Sequence, residues 1–575
     1  MSYSTQNIRN VCLLGHGGNG KTSLAESMLY LTGGTERLGR TADGNTTCDY
    51  DPEETRRQIS ISTAVAPVEY NGCKINVLDT PGYFDFVGEV VEAVQVADAA
   101  IIVCSAKAGM SVGAEKAWDL CETRKLPRLL YISKTDEENA DYNAAFATLR
   151  DRFGKNVAPV VAPIWDADKK VIGIIDVLHK RAFEAGPKGE RIEIDVPADK
   201  QSVLDELYDA LKESVAETSE EFMDKFFGGE DFTYAEMIQG LRQGVKDLSL
   251  FPVVCGSALS GLGTRMLLDI IVELLPNPME GRPLMGENSD GELDEFVAFP
   301  GALPCALVWK TTSDQYGKYS YIKVVSGNIK PDMQLVDSRT GSTEKIGRLY
   351  VMKGKKADEV KELQCGDIGA IGKMDKVKTG DTLSDSRKVV KLEPIPFPEP
   401  CYSVAIAPKT KGQEDKIASG LTKLNEEDAS FTFGTDPETK ETVLKVLNND
   451  YIMNIVDTGN VFITYPGDGL PMSYWDDYRQ QNLDSLLYPL IKFQDYIDDD
   501  NKEYFDEMKS YSAEIYSRIS KMSAKEFEEA AASIKEEIAD SVIYNIMVDD
   551  KSTEAGYDSL IVKYTSFYNE NFKNK

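Results

Sequence analysis

Gly15-His16-Gly17-Gly18-Asn19-Gly20-Lys21-Thr22 is the stretch that decides the fold. It follows the apolar run Val11-Cys12-Leu13-Leu14 and precedes Ser23-Leu24-Ala25-Glu26-Ser27-Met28-Leu29, which reads as a helix. A strand, a Gly-rich loop and a helix in that order make a P-loop. Its glycines let successive backbone N–H groups turn inward on phosphate oxygens. Lys21 is placed to reach the β- and γ-phosphates, and the Thr22 hydroxyl to ligate Mg²⁺. The spacing predicts an α/β domain that holds a nucleoside triphosphate.

Two further strands end in chemistry of the same kind. Lys74-Ile75-Asn76-Val77-Leu78-Asp79-Thr80-Pro81-Gly82 reads as a buried strand with Asp79 at its C-terminal end, where α/β folds place ligands. An aspartate there holds a Mg²⁺-bound water. Gly82 permits close approach to a γ-phosphate. Leu129-Leu130-Tyr131-Ile132 leads into Ser133-Lys134-Thr135-Asp136. The Asp136 carboxylate can accept two hydrogen bonds from guanine N1 and N2, which adenine does not offer. The Lys134 stem can lie along a purine face. Val253-Val254-Cys255-Gly256 leads into Ser257-Ala258-Leu259, a small-residue loop whose backbone can meet guanine O6.

The 575 residues suffice for about four domains. No apolar run approaches the ~20 residues of a membrane span, and no signal-peptide pattern stands at the N-terminus. The nine cysteines contain no Cys-x-x-Cys pair, so neither zinc nor a disulfide framework is implied, and a cytoplasmic protein is expected. With only two histidines, His16 and His179, histidine-based metal or triad chemistry is nearly excluded. A net charge of −31 argues against a broad surface for free nucleic acid.

Together these segments resemble the GTPase boxes of the translation factors, and most closely elongation factor G and its paralogues. The resemblance runs from about Ile8 to about Leu444. Asp49-Tyr50-Asp51-Pro52-Glu53-Glu54 and Arg56-Arg57-Gln58-Ile59-Ser60-Ile61-Ser62-Thr63 resemble the family's first switch. The long stretch between Asp136 and Ser257, including Ile172–Val177 and Glu217–Met223, matches its inserted subdomain. The resemblance implies GTP and GDP binding with Mg²⁺ on Thr22, Ser60 and, through water, Asp79. It implies GTP hydrolysis with Lys21, Gly82 and Tyr83 at the reacting phosphate, and a monomer that works on the ribosome during elongation.

Three positions depart from the family. Tyr83 stands where a histidine usually orients the attacking water; a tyrosine can position water but cannot become a cation. Slowed hydrolysis is the expectation. Ser60 replaces a threonine and keeps the hydroxyl. Ser133 replaces the asparagine that ties the base loop to the P-loop, which is expected to weaken guanine binding. Decay of a dead GTPase competes with this reading. The retained Lys21, Thr22, Asp79, Gly82 and Asp136 argue against it.

The predicted organisation is multidomain: a P-loop GTPase domain over residues 1–280 with an insertion at about 160–250, then a Pro-, Gly- and acid-rich linker over 276–303. A β-barrel follows over 295–392, then part of a small α/β third domain over 400–445. Residues 446–575 hold about half of the 27 tyrosines and read as an acidic, mostly helical module. Its markers are the turn cluster Tyr465–Pro471, the acid run Asp498–Asp500 and a capping box at Ser523–Glu526. Nothing there resembles the family's two further domains, so translocation by this chain is not expected. A GTP-dependent ribosome-binding regulator or protection factor with little turnover stays open as the alternative.

Overall fold

The computed structural model describes residues 3–166, 171–186, 189–288, 291–314, 317–400, 402–406, 414–437 and 442–446, with Arg518 and Lys521. In chain order come β1 (Ile8–Leu14), α1 (Lys21–Leu31), α2 (Pro52–Arg57), β2 (Ala64–Tyr70), β3 (Cys73–Asp79), α3 (Val87–Val96), β4 (Ala99–Ser105), α4 (Val112–Arg124), β5 (Arg128–Ser133), α5 (Tyr142–Phe153) and β6 (Val157–Pro159). An insertion of β7 (Val161–Trp165), β8 (Val171–Asp176), β9 (Arg181–Ala185), β10 (Arg191–Ile194), α6 (Gln201–Ala216), α7 (Glu220–Phe227) and α8 (Tyr234–Lys246) precedes β11 (Phe251–Cys255) and α9 (Thr264–Leu274).

The first sheet has the order β2-β3-β1-β4-β5-β11-β6. All neighbours are parallel except the edge pair of β2 with β3. Strands β1, β3, β4 and β5 are buried along their whole length, which is why they read as unbroken apolar runs rather than alternating ones. The P-loop, Asp79, Ser133 and Ser257 therefore all follow C-terminal strand ends at one edge of a parallel sheet. The inserted strands make a separate antiparallel sheet, β10-β9-β8-β7. Of the two stretches matched to the inserted subdomain, Ile172–Val177 falls mostly in β8, and Glu217–Met223 leads into α7, which is capped by the Ser219 hydroxyl accepting the Phe222 N–H.

The stretch 276–303, expected to be a linker, contains two strands, β12 (Leu284–Asn288) and β13 (Leu293–Phe296). They form a hairpin, and β12 also pairs with Val390–Leu392, about 100 residues on. Its acids and glycines hid it: β13 has no buried residue to set a period. The β-rich region follows as β14 (Cys305–Asp314), β15 (Gly317–Ser326), β16 (Gln334–Asp337), β17 (Thr343–Lys345), β18 (Leu349–Lys353), β19 (Lys356–Val360), β20 (Ile368–Gly372), β21 (Thr382–Ser384) and β22 (Val390–Leu392). Eight of these strands form one antiparallel sheet, β17-β16-β21-β14-β15-β20-β18-β19. Along β14 the two faces serve different cores: Ala306 and Val308 belong to the region's own cluster, while Cys305, Leu307 and Trp309 join the cluster built on the first, parallel sheet.

Buried ions reinforce that junction. Lys74 Nζ contacts both oxygens of Asp367 at 2.7 and 2.8 Å, and Lys323 Nζ contacts Asp98 at 2.6 Å. Asn10 and Asn76 complete the network, donating to Asp98 and Asp367 at 2.7 and 3.0 Å. The small last sheet, β23 (Tyr402–Ile406), β25 (Thr442–Val446) and β24 (Thr432–Thr435), accompanies α10 (Glu414–Glu427). Met1–Ile406 with Ala418–Val461 forms one compact unit. The second unit is Ala407–Ile417 with Phe462–Lys575, of which only Glu414–Ile417, Arg518 and Lys521 are described. The turn, acid run and helix expected in the tail lie outside the described residues. Among the described residues no helix is long and apolar enough to cross a membrane.

Candidate functional site

The P-loop runs from the end of β1 into the first turn of α1, which opens at Lys21, so Lys21, Thr22 and Ser23 sit at a helix N-terminus that favours anions. Gly15, Gly18 and Gly20 all have positive φ (131°, 78° and 90°), the left-handed side of the map that glycine alone enters freely. Lys21, only 5% exposed, folds back on its own loop, donating to the carbonyls of Gly15 at 2.8 Å and His16 at 3.1 Å. Burial pushes its ammonium down to about 8, against the pull of Asp79 and Asp49. Asn19 donates to the Val103 carbonyl at 3.0 Å and so fixes the loop to β4.

The three residues assigned to the metal converge. Thr22 Oγ1 and Ser60 Oγ, 38 positions apart, are 3.0 Å from each other. Asp79 is fully buried at the end of β3, and neither carboxylate oxygen has a hydrogen-bond partner by geometry among the described residues. Burial raises its pKa, Asp49 raises it further, and Thr22 and Lys21 oppose the rise. An orphaned buried carboxylate beside two facing hydroxyls is an oxygen donor set that suits Mg²⁺. Asp49 is a fourth member: it is buried, which raises its pKa, and Ser60 and Lys21 oppose the rise. It stands in the switch segment, yet no spacing rule marks it as a site residue.

The switch is held in this shape by Glu54. Its carboxylate accepts the N–H groups of Ile61 and Ser62 at 3.0 and 3.1 Å and, in a capping box on α2, that of Asp51 at 3.0 Å. Thr80 donates to the Leu13 carbonyl at 2.6 Å, and Pro81 is buried, so the turn after β3 is pinned against β1. The Gly17 N–H donates to the Gly82 carbonyl at 3.1 Å. A Cβ on Gly82 would lie 2.6 Å from Gly17 N, so only glycine fits there. The Tyr83 ring lies beside Gly17, where a Cβ would meet Tyr83 Cε2 at 3.0 Å; it is 45% exposed.

At the other end of the P-loop the residues expected to meet the base come together. The Ser133 hydroxyl reaches the Asn19 carbonyl at 2.7 Å and the Cys104 carbonyl at 3.0 Å. The tie between base loop and P-loop is therefore present, made by a hydroxyl. Lys134, with φ of 59°, passes beside Gly20 and pairs with Glu137 at 3.1 Å. Thr135 is buried and its N–H donates to the Gly256 carbonyl at 3.4 Å. Asp136 is exposed, but one oxygen accepts the Ser257 hydroxyl at 2.7 Å, which orients the carboxylate. Ala258 and Leu259 continue that loop towards solvent, Leu259 being 51% exposed. His16 lies in the P-loop near the Phe84 ring, 6.0 Å between centroids.

A P-loop, an aspartate-ended strand and a clamped carboxylate on one parallel sheet define a P-loop nucleotide-binding protein of the GTPase type. Residues 6–277 match the model of the elongation factor Tu GTP binding domain, residues 317–384 that of elongation factor Tu domain 2, and residues 397–449 that of elongation factor G, domain III. A crystal structure of a protein from Thermus thermophilus is similar, with a TM-score of 0.70 and 32% identity, covering 79% of this chain and 66% of that one. The chain thus spans just under two thirds of that protein's length. The chain belongs to the elongation factor G-like translational GTPases.

Proposed function

We propose that the chain binds Mg²⁺·GTP and GDP and hydrolyses GTP to GDP and phosphate in association with the ribosome. The observation that carries this reading is the meeting of the Thr22 and Ser60 hydroxyls, 3.0 Å apart, beside the unpartnered carboxylate of Asp79. Thr22 and Ser60 would ligate Mg²⁺ directly and Asp79 through water. When bound, Mg²⁺ supplies positive charge against the oxygens of the β- and γ-phosphates. Lys21 exchanges the carbonyls of Gly15 and His16 for phosphate oxygens, and the glycine backbone of the loop adds N–H donors. Gly82 brings its backbone to the γ-phosphate, and the neighbouring Tyr83 hydroxyl holds the attacking water. Asp136, oriented by Ser257, selects guanine, while Lys134 lines the purine and the Ala258–Leu259 backbone meets O6.

Titration with fluorescent GDP and competition by ATP test the nucleotide. Equal competition by ATP would sink the guanine assignment, and Asp136→Asn should move preference toward xanthine nucleotides. Phosphate release with and without ribosomes tests the partner and the reaction. A second reading, a GTP-dependent ribosome-binding regulator with little turnover, is favoured by Tyr83, which cannot take on positive charge beside the phosphate as His⁺ can. Co-sedimentation with ribosomes in a non-hydrolysable analogue, together with negligible phosphate release, would select that reading.

A further inference from the structure

We propose that Lys310, on the β-rich second domain, is a positioning residue for the GTPase centre, tying the first switch, the helix that follows Tyr83 and the third domain into one junction. The inference rests on the GTPase reading above. A β-bulge aims this lysine. Val308 pairs with Ile322 inside the β-rich core, but the register then shifts, so that Lys310 pairs with Tyr321 and turns towards the GTPase domain. Without the shift, strand alternation would send Lys310 to the same side as Ala306 and Val308.

The Lys310 side chain is 2% exposed and its ammonium pairs with the Glu89 carboxylate on α3. It also donates to the Ser62 hydroxyl at 2.6 Å. Glu89 in turn accepts the Thr63 N–H at 2.6 Å and the Ser62 hydroxyl at 3.2 Å, and its carbonyl accepts the Thr63 hydroxyl at 3.0 Å. Ser62 lies two positions after Ser60, and Glu89 six after Tyr83, so both segments that flank the γ-phosphate end on one buried ammonium. The residues after Lys310 carry the junction into the third domain: Thr311 donates to the Glu426 carbonyl, and the Ser313 N–H donates to Glu427 at 2.9 Å.

The charge balance makes the lysine decisive. Glu89 pairs with it, and Glu92, Glu427 and Asp428 lie within its electrostatic reach. One Glu92 oxygen is buried with no hydrogen-bond partner among the described residues. Burial holds Glu92, Glu427 and Asp428 towards their neutral forms, and the Glu89 carboxylate is left with an uncompensated buried charge if that ammonium is removed. The switch segment around Ser62 cannot move away without leaving Glu89 and Lys310 short of partners in a dry site. Closing of Ser60 on the metal and placement of α3 are thereby coupled to the second and third domains.

The test uses the full chain with Lys310→Met and Lys310→Arg. Three readouts are taken: affinity for fluorescent GDP, tryptic cleavage after Arg56 in GDP against a non-hydrolysable GTP analogue, and single-turnover phosphate release. Lys310→Met should bind GDP as the unaltered chain does, lose the nucleotide dependence of cleavage, and release phosphate about 10- to 100-fold more slowly, as loss of charge-assisted hydrogen bonds implies. Lys310→Arg should recover much of both. Retention of nucleotide-dependent cleavage and of turnover in Lys310→Met would overturn the proposal. Should that variant not fold, Glu89→Gln must show the same two losses, and a normal Glu89→Gln equally overturns it. If the unaltered chain releases no phosphate, the GTPase reading falls, and the protease pattern still judges Lys310.

Discussion

Replacing Ser133 by alanine removes a hydroxyl whose one hydrogen is within reach of two buried carbonyls, Asn19 O at 2.7 Å and Cys104 O at 3.0 Å. Asn19 is 4% exposed and Cys104 fully buried, so water does not readily take the place of the lost donor. A buried acceptor left unpaired costs about 1–3 kcal/mol. Part of that cost falls on folding. The remainder falls on the registry between base loop and P-loop, which a bound nucleotide needs to span. Taking about 1–2 kcal/mol for that share, GDP should bind about 5- to 30-fold more weakly to Ser133→Ala. Preference for guanine over adenine should survive, because the Asp136–Ser257 clamp is untouched. Fluorescent GDP titration, with ATP as competitor and a thermal melt as control for folding, measures all three quantities. GDP affinity within about twofold of the unaltered chain, with an unchanged melt, would refute the tie.

Asp367→Ala leaves Lys74 buried without its carboxylate and should cost about 3–5 kcal/mol in urea unfolding, whereas Lys74→Met combined with Asp367→Leu should recover most of it. Gly354 has φ of 52° and packs against the Thr47 carbonyl, two residues before the segment that resembles the first switch, so Gly354→Ala should destabilise by about 1–3 kcal/mol and speed tryptic cleavage after Arg56. Burial raises Asp428 to about 6, above its unfolded value. The folded state then binds the extra proton between about pH 4 and 6, so this group's stabilising contribution is present at low pH and lost as pH rises through that window. The change should be on the order of 1–2 kcal/mol because Asp428 is partly accessible, and it should vanish from the unfolding curves of Asp428→Asn.

What the sequence alone determined is whatever lies within one short stretch of chain. Gly15 to Thr22, the aspartate ending β3 and the Lys134–Asp136 segment each need only a strand, a turn and the right side chains in succession. Local geometry fixes how such neighbours meet, so their spacing can be read directly. The region after Pro304 was legible as β-rich for the same reason, through short apolar stretches and glycine turns. The hairpin of β12 and β13 was not, because its partner β22 lies about 100 residues away and its outer strand is exposed. Only the tertiary structure brought Asp49 against Ser60 and gave Ser133 its partner on the P-loop, 114 positions away. It likewise joined Lys310 to Glu89 and Ser62, 221 and 248 positions distant. A single sequence carries no term for such pairs: an aspartate, a serine or a lysine on a strand has the same local preferences whether its partner is water or a buried ion. The choice is made when distant elements, of one domain or of two, close over it and exclude water, which turns an ordinary polar group into one that must be matched.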